Sequence, residues 1–138
     1  MNNEQKHEFS RVIDLEDAIF NEKLEILAEE EELKALAKRF GVHDINSLKL
    51  EYVITQKDDI PGAFILLCRL FSRVTKFIIE ETGETSQIDE KFDVVLIDET
   101  TAKLNLDLLK DFDIEILEDN KFNIAEIAAQ YLSLCIYM

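Results

Sequence analysis

The residues of this chain with the means to do chemistry are two cysteines, two histidines and thirty acids. A metal centre needs its ligands close together, and Cys68, Cys135, His7 and His43 are widely separated, with no C-x-x-C or H-x-x-x-H spacing. The stretch "DETTAKLNLDLL", Asp98 to Leu109, gathers acids but lacks the glycine and the closing glutamate of a calcium loop. It reads as a solvated acidic loop, and no metal ligand is expected. Cys68 lies among Leu66, Leu67 and Leu70, and Cys135 lies on an apolar stripe. Burial raises a thiol pKa and leaves it inert. There is no G-x-S-x-G, and three glycines cannot build a phosphate-cradling loop or a dinucleotide fingerprint. The expectation is a chain with no catalytic residue and no cofactor.

A different pattern runs through "AFILLCRLFSRVTKFII", Ala63 to Ile79. If it is extended, Arg69, Phe71, Arg73, Thr75 and Phe77 share one face, while Leu66, Cys68, Leu70, Val74 and Ile78 share the other. The second face is core. The first alternates arginine with phenylalanine, a surface on which bases can stack while guanidiniums meet phosphates. The competing and favoured reading is that a helix covers Phe71 and Phe77 while the arginines snorkel out beside it.

That preference comes from charge. The formal net charge is −15, and nucleic-acid affinity rests largely on lysine and arginine displacing counterions. The balance points to basic partners instead. It is uneven along the chain: residues 34–76 hold eight bases against four acids, and residues 89–119 hold eleven acids against three bases. One face can therefore still accept phosphate. The acidic segment supplies the candidate protein-binding residues Asp98, Glu99, Asp107, Asp111, Asp113 and Glu115.

The elements that must position these residues follow from periodicity. At 138 residues the chain suits one domain, read as 8–138 behind a disordered N-terminus, 1–7. No apolar run is long enough to span a membrane. With two scattered cysteines and no secretory leader, the protein is expected to be cytoplasmic. "HEFSRVI" (His7 to Ile13) and "EKLEILA" (Glu22 to Ala28) read as strands joined by a turn. Leu33, Leu36, Ala37 and Phe40 mark one face of a helix. Glu29 to Glu32 and the pair Lys38 and Arg39 complement the dipole at its two ends, and Gly41 follows as its C′ residue. "SLKLEYVITQ" (Ser47 to Gln56) alternates as a strand. The run from Ala63 far exceeds the usual ~5–6 residues of a strand, so a bend or bulge is expected, with Ser72 as candidate. "EETGETS" turns the chain back into "QIDEKFDVVLID" (Gln87 to Asp98). Residues 99–111 lack periodicity, and Phe112 to Leu117 reads as a short strand. Asn123 as N-cap, with Glu126 three residues on, opens a last helix. Its stripe is Ile124, Ile127, Ala128, Tyr131, Leu132 and Cys135. The fold class is α+β: a mostly antiparallel sheet with a long bent hairpin and two packed helices.

The order of these pieces carries a resemblance. "EFSR" opens a first strand, a short strand leads into a glutamate-rich helix that ends in "ALAKRFGV", and "INSLKLEY" follows. A long hairpin returns through "QIDEKFDVVL", and the chain closes with "FNIAEIAAQYLSLCI". This resembles the YceD-like family, a bacterial domain family of unknown function linked to accumulation of large-subunit ribosomal RNA. "RFG" and "IDEKF" are its best markers here, and the likeness runs from Glu8 to the C-terminus. The resemblance implies a non-enzymatic factor in ribosome biogenesis. Many members are encoded beside a small basic protein of the large subunit. It also implies that Phe77 stands where many members carry a cysteine, so no thiol role is expected there, and that the short tail other members carry is missing after Met138. Together with the charge, it implies a basic ribosomal protein or a pre-ribosomal particle as partner. Ribosomal RNA would be contacted, if at all, through Arg11, Arg39, Arg69, Phe71 and Arg73. A general acidic adaptor unrelated to ribosomes is the alternative. Neither a membrane nor a small-molecule substrate is expected.

Overall fold

The computed structural model describes residues 8–79 and 82–136, with side chains throughout except at 77–79 and 82–84. In chain order its elements are β1 (Val12–Asp14), β2 (Leu24–Leu27), α1 (Glu30–Phe40), β3 (Asp44–Gln56), β4 (Phe64–Ile79), β5 (Thr82–Ile97), α2 (Glu99–Leu104), α3 (Leu106–Leu109), β6 (Asp113–Ile116), β7 (Lys121–Asn123) and α4 (Ile124–Ile136). The fold class is α+β, as the strand and helix periods predict. Strands β2-β3-β4-β5-β6 form one sheet in that order, and β1 with β7 forms a separate ribbon. All pairings are antiparallel except β5 with β6, which is parallel.

The central hairpin exists because two long runs alternate in step. Leu66, Cys68 and Leu70 of β4 face the same way as Ile54, Tyr52 and Leu50 of β3, and as Val94, Phe92 and Glu90 of β5. Most of these residues join the main core with Leu36, Ala37 and Phe40 of α1 and with Ile124, Ala128 and Leu132 of α4. Burying one leucine or isoleucine side chain here stabilises the fold by roughly 1.5–3 kcal/mol. The two helices predicted from their stripes thus cover a single face of the sheet. A smaller core lies on the opposite face, where Val95 and Ile97 meet Ile60, Ala63, Ala102 and Leu109.

Both long helices end as their sequences specify. The Glu29 N–H donates to Glu32 Oε1 (2.9 Å), and Gly41 takes φ +69°, the left-handed turn that stops α1. The Glu126 N–H donates to Asn123 Oδ1 (3.2 Å), which caps α4. The Glu126 carboxylate does not close a capping box, because Arg39 holds it across the α1–α4 contact.

Five expectations need correction. The first strand is Val12–Asp14 and not a run from His7; Phe9 is buried ahead of it in the main core. His7 and the N-terminal segment 1–7 lie outside the described residues. The irregularity is not at Ser72. One lies in β3, where register shifts between Ile45 and Ser47 and leaves Asn46 as the extra residue; another lies between Thr75 and Ile78. Ser72 serves the first from across the ladder, its hydroxyl donating to the Ser47 carbonyl (2.7 Å). The return strand starts at Thr82, so most of the expected turn is strand, and Glu80 and Glu81 lie outside the described residues. Residues 99–111 are not irregular: they form α2 and α3, the crossover that a parallel β5–β6 pair requires. Among the described residues no helix lies across Phe71; α1 and α4 pack on the other face. Phe77, and with it the expectations about its side chain, lies outside the described side chains, as does Met138. Among the described residues no helix is long and apolar enough to cross a membrane.

Candidate functional site

The six candidate acids lie on the segment that runs from the end of β5 through α2 and α3 to the edge strand β6. Asp98 is the N-cap of α2, its carboxylate accepting from the Thr101 N–H (2.8 Å) and hydroxyl (2.7 Å). Those bonds, the backbone one foremost, hold its carboxyl below the usual carboxylate range. Glu99 pairs with Lys103 one turn on (3.1 Å). Asp107 and Asp111 are exposed around α3 and make no ion pair among the described residues. Asp113 and Glu115 stand on β6, paired in register with Val94 and Leu96, so they point to the α4 side of the sheet. Burial pushes the Glu115 carboxyl up, and the nearby charges of Glu126 and Glu118 push it further. Asp98 and Glu99 are thus engaged locally, whereas the last four carboxylates make no ion pair among the described residues.

The same segment exposes apolar side chains, which attention to its acids alone misses. Leu104, Leu106, Leu108, Phe112, Ile114 and Ile116 are six of the eleven large apolar residues exposed among the described residues. Lone exposed leucines need no explanation, but so many within one short segment is the pattern a binding surface would have. Their signal is present in "FDIEI", where Phe112, Ile114 and Ile116 alternate with Asp113 and Glu115. What the alternation cannot reveal is that β6 is an edge strand. On the α4 side a cleft of about 270 Å³ opens beside β6, lined by Phe92, Val94, Glu115, Ile127, Tyr131 and Leu134. Tyr131 stacks on Phe92 at 3.9 Å between ring centroids and forms its wall.

Phe112 is fixed from below. The buried Lys57 places Nζ 4.5 Å from its ring centroid and 2.8 Å from Asp59 Oδ1. This ties the loop after β3 to the entrance of β6.

The candidate RNA-contacting residues do not form one surface. Arg11 makes a two-bond clamp on the buried Glu32, at 2.7 and 2.8 Å, and reaches the Leu27 carbonyl. Arg39 clamps Glu126 with two bonds of 2.8 Å. Both join elements of the main core. Arg69, Phe71 and Arg73 lie on the opposite sheet face. There Arg69 clamps Asp89 with two bonds of 2.8 Å, and Phe71 is flanked by Lys49 and Arg69 at 4.7 and 4.6 Å from its centroid. Arg73 is exposed and makes no ion pair among the described residues.

Cys68 is buried, and burial drives its thiol pKa upward; burial does the same for Cys135. Among the described residues no three histidine, cysteine, aspartate or glutamate side chains are grouped to hold a metal. Comparison of the chain with protein-family models, with curated proteins and with solved structures gives no match.

Proposed function

We propose that this protein is a non-enzymatic ribosome-biogenesis factor that binds a basic protein of the large subunit, or an assembly intermediate carrying it, and so supports accumulation of large-subunit ribosomal RNA. One observation carries the binding role. The segment from α2 to β6 combines exposed aliphatic side chains with carboxylates that make no ion pair among the described residues: Asp107, Asp111, Asp113 and Glu115. Apolar contact supplies affinity, and unpaired acids choose a cationic partner and speed its arrival. The ribosomal setting rests on the likeness of "ALAKRFGV", "QIDEKFDVVL" and "FNIAEIAAQYLSLCI" to the YceD-like family. The expected place of action is the cytoplasm.

The test is salt-graded co-purification of the tagged protein, with identification of what elutes as ionic strength rises, beside measurement of rRNA after depletion. A basic large-subunit protein released at raised salt, and a fall in large-subunit rRNA on depletion, are the expected results. A discrete non-ribosomal partner with unchanged rRNA would replace this reading with that of a general adaptor.

A further inference from the structure

The parallel pairing of β5 and β6 decides which backbone groups of the edge are free. The Leu117 N–H donates to the Ile97 carbonyl (2.9 Å). In a parallel ladder, residues of that parity bond inward and the alternate residues aim outward. Asp113 and Glu115 therefore turn their N–H and C=O toward β5. Ile114 and Ile116 turn theirs away from the sheet, and no hydrogen bond reaches them among the described residues. A row of such groups is a template for another strand.

The side chains specify what that strand must look like. Ile114 and Ile116 are paired with Val95 and Ile97, on the face of α2 and α3, and remain 41% and 42% exposed. Asp113 and Glu115 are on the α4 face, with Glu118 and Glu126 close enough to repel Glu115. A strand laid on β6 sends successive side chains to alternate faces. On one face its residues meet isoleucines, and on the other they meet carboxylates.

We infer that β6 receives an extended segment of the basic partner by strand addition, and that the segment alternates apolar residues with lysine or arginine. The inference rests on the basic-partner reading and gives its docking mode. A second copy of this chain does not fit: β6 on β6 sets Asp113 and Glu115 against their own kind, and like charges facing across a ladder repel. Acids on a short edge can serve to deter pairing, which accounts for Asp113 and Glu115. It does not account for Phe112, Ile114 and Ile116, exposed in the same stretch.

The test uses the full chain and two short synthetic peptides of identical composition, one with lysine and valine alternating, the other with them in two blocks. Binding is followed by calorimetry and by amide hydrogen exchange. The alternating peptide is expected to bind about tenfold more tightly, because only it can set its side chains in step with both faces of β6. It is also expected to slow exchange at Ile114 and Ile116 and not at Asp113 and Glu115, which are already bonded. Ile114→Pro removes one outward N–H at an edge position that tolerates proline; with the fold verified by circular dichroism, it should abolish the preference. Equal binding of the two peptides, or binding with no slowing at either isoleucine, overturns strand addition and leaves the basic-partner reading in place. Failure of both peptides to bind overturns both.

Discussion

Arg11 and Glu32 show how position decides what a charge is for. Read from the sequence, Glu32 is one of four acids easing a helix dipole. In the fold it is the one turned inward, accepting two bonds from Arg11 and one from the Glu29 N–H. The Arg11 bonds, first among the causes, hold its carboxyl below the usual range. A depressed carboxylate contributes stability that is present above its unfolded pKa and is lost as pH falls through the folded value. Glu115 has the opposite sign: burial raises it, so its charge opposes folding at neutral pH, and the penalty disappears on acidification. Urea unfolding should separate the two. Arg11→Ala is expected to cost about 1–3 kcal/mol at pH 7, because it strands a buried carboxylate, and less as pH falls below the carboxylate range. Glu32→Gln should cost less, since the new amide oxygen would still accept from the Glu29 N–H and Arg11 can reach water. Glu115→Gln should leave stability at pH 7 unchanged or slightly raised, with that gain gone in acid. It should also weaken capture of the proposed basic partner.

Among the elements, α2 is the one whose existence hangs on one side chain. It has six residues, and helices that short are marginal unless capped and packed. Asp98 provides the cap, and Ala102 is buried against Ile97 and Leu109 in the small core. Asp98→Ala should therefore cost about 1 kcal/mol, while Asp98→Ser retains most of the stability. Hydrogen exchange should show the loss concentrated in 98–109, with β3 and β4 unaffected. Affinity for the proposed basic partner should change less than on replacing Asp113 and Glu115, since Asp98 is already engaged. The contrast with the longer elements shows what a sequence makes legible. Helices α1 and α4 are marked by long stripes, by the cap at Asn123 and by Gly41. Strands β3 to β5 are marked by alternation. Helices α2 and α3 are one turn or so each, too short for a period to register, so Asp98 reads as part of an acidic loop although it is a cap. Asn46, the extra residue of β3, carries no local mark: the bulge is created by the register it must keep with Val74 and Arg73. At the candidate site the acids are visible in the composition, but the edge position of β6 depends on which strands pair.

For the molecule as a whole, register redistributes the charge. Counted along the chain, bases gather in 34–76 and acids in 89–119. Folded, β5 lies beside β4, and on the sheet face away from α1 and α4 the acids come to stand by the bases. Strand pairing, with the Lys23–Glu51 contact, brings Lys23, Glu25, Lys49, Glu51, Arg69, Arg73, Asp89, Lys91 and Asp93 onto that face, five cations with four acids. Arg69 is clamped by Asp89, and Glu51 lies within 4 Å of both Lys23 and Lys49. Phosphate binding requires cations that release counterions, and cations already neutralised by carboxylates release few. Phe71 can still offer a ring to a base, but the phosphates on either side would meet cations that stand almost one for one beside carboxylates. This predicts that single-stranded RNA binds weakly at physiological salt, with a shallow dependence of affinity on salt concentration. Arg73→Glu should then leave the co-purifying partners unchanged, whereas Asp113→Lys with Glu115→Lys should lose them. The measurement is quantitative pull-down with each variant, beside RNA titration of the unaltered chain. Tight RNA binding with a steep salt slope, abolished by Arg73→Glu, would relocate the interaction to the open sheet face. The expected outcome keeps it at β6, where carboxylates that make no ion pair among the described residues lie beside exposed isoleucines and outward-facing backbone groups.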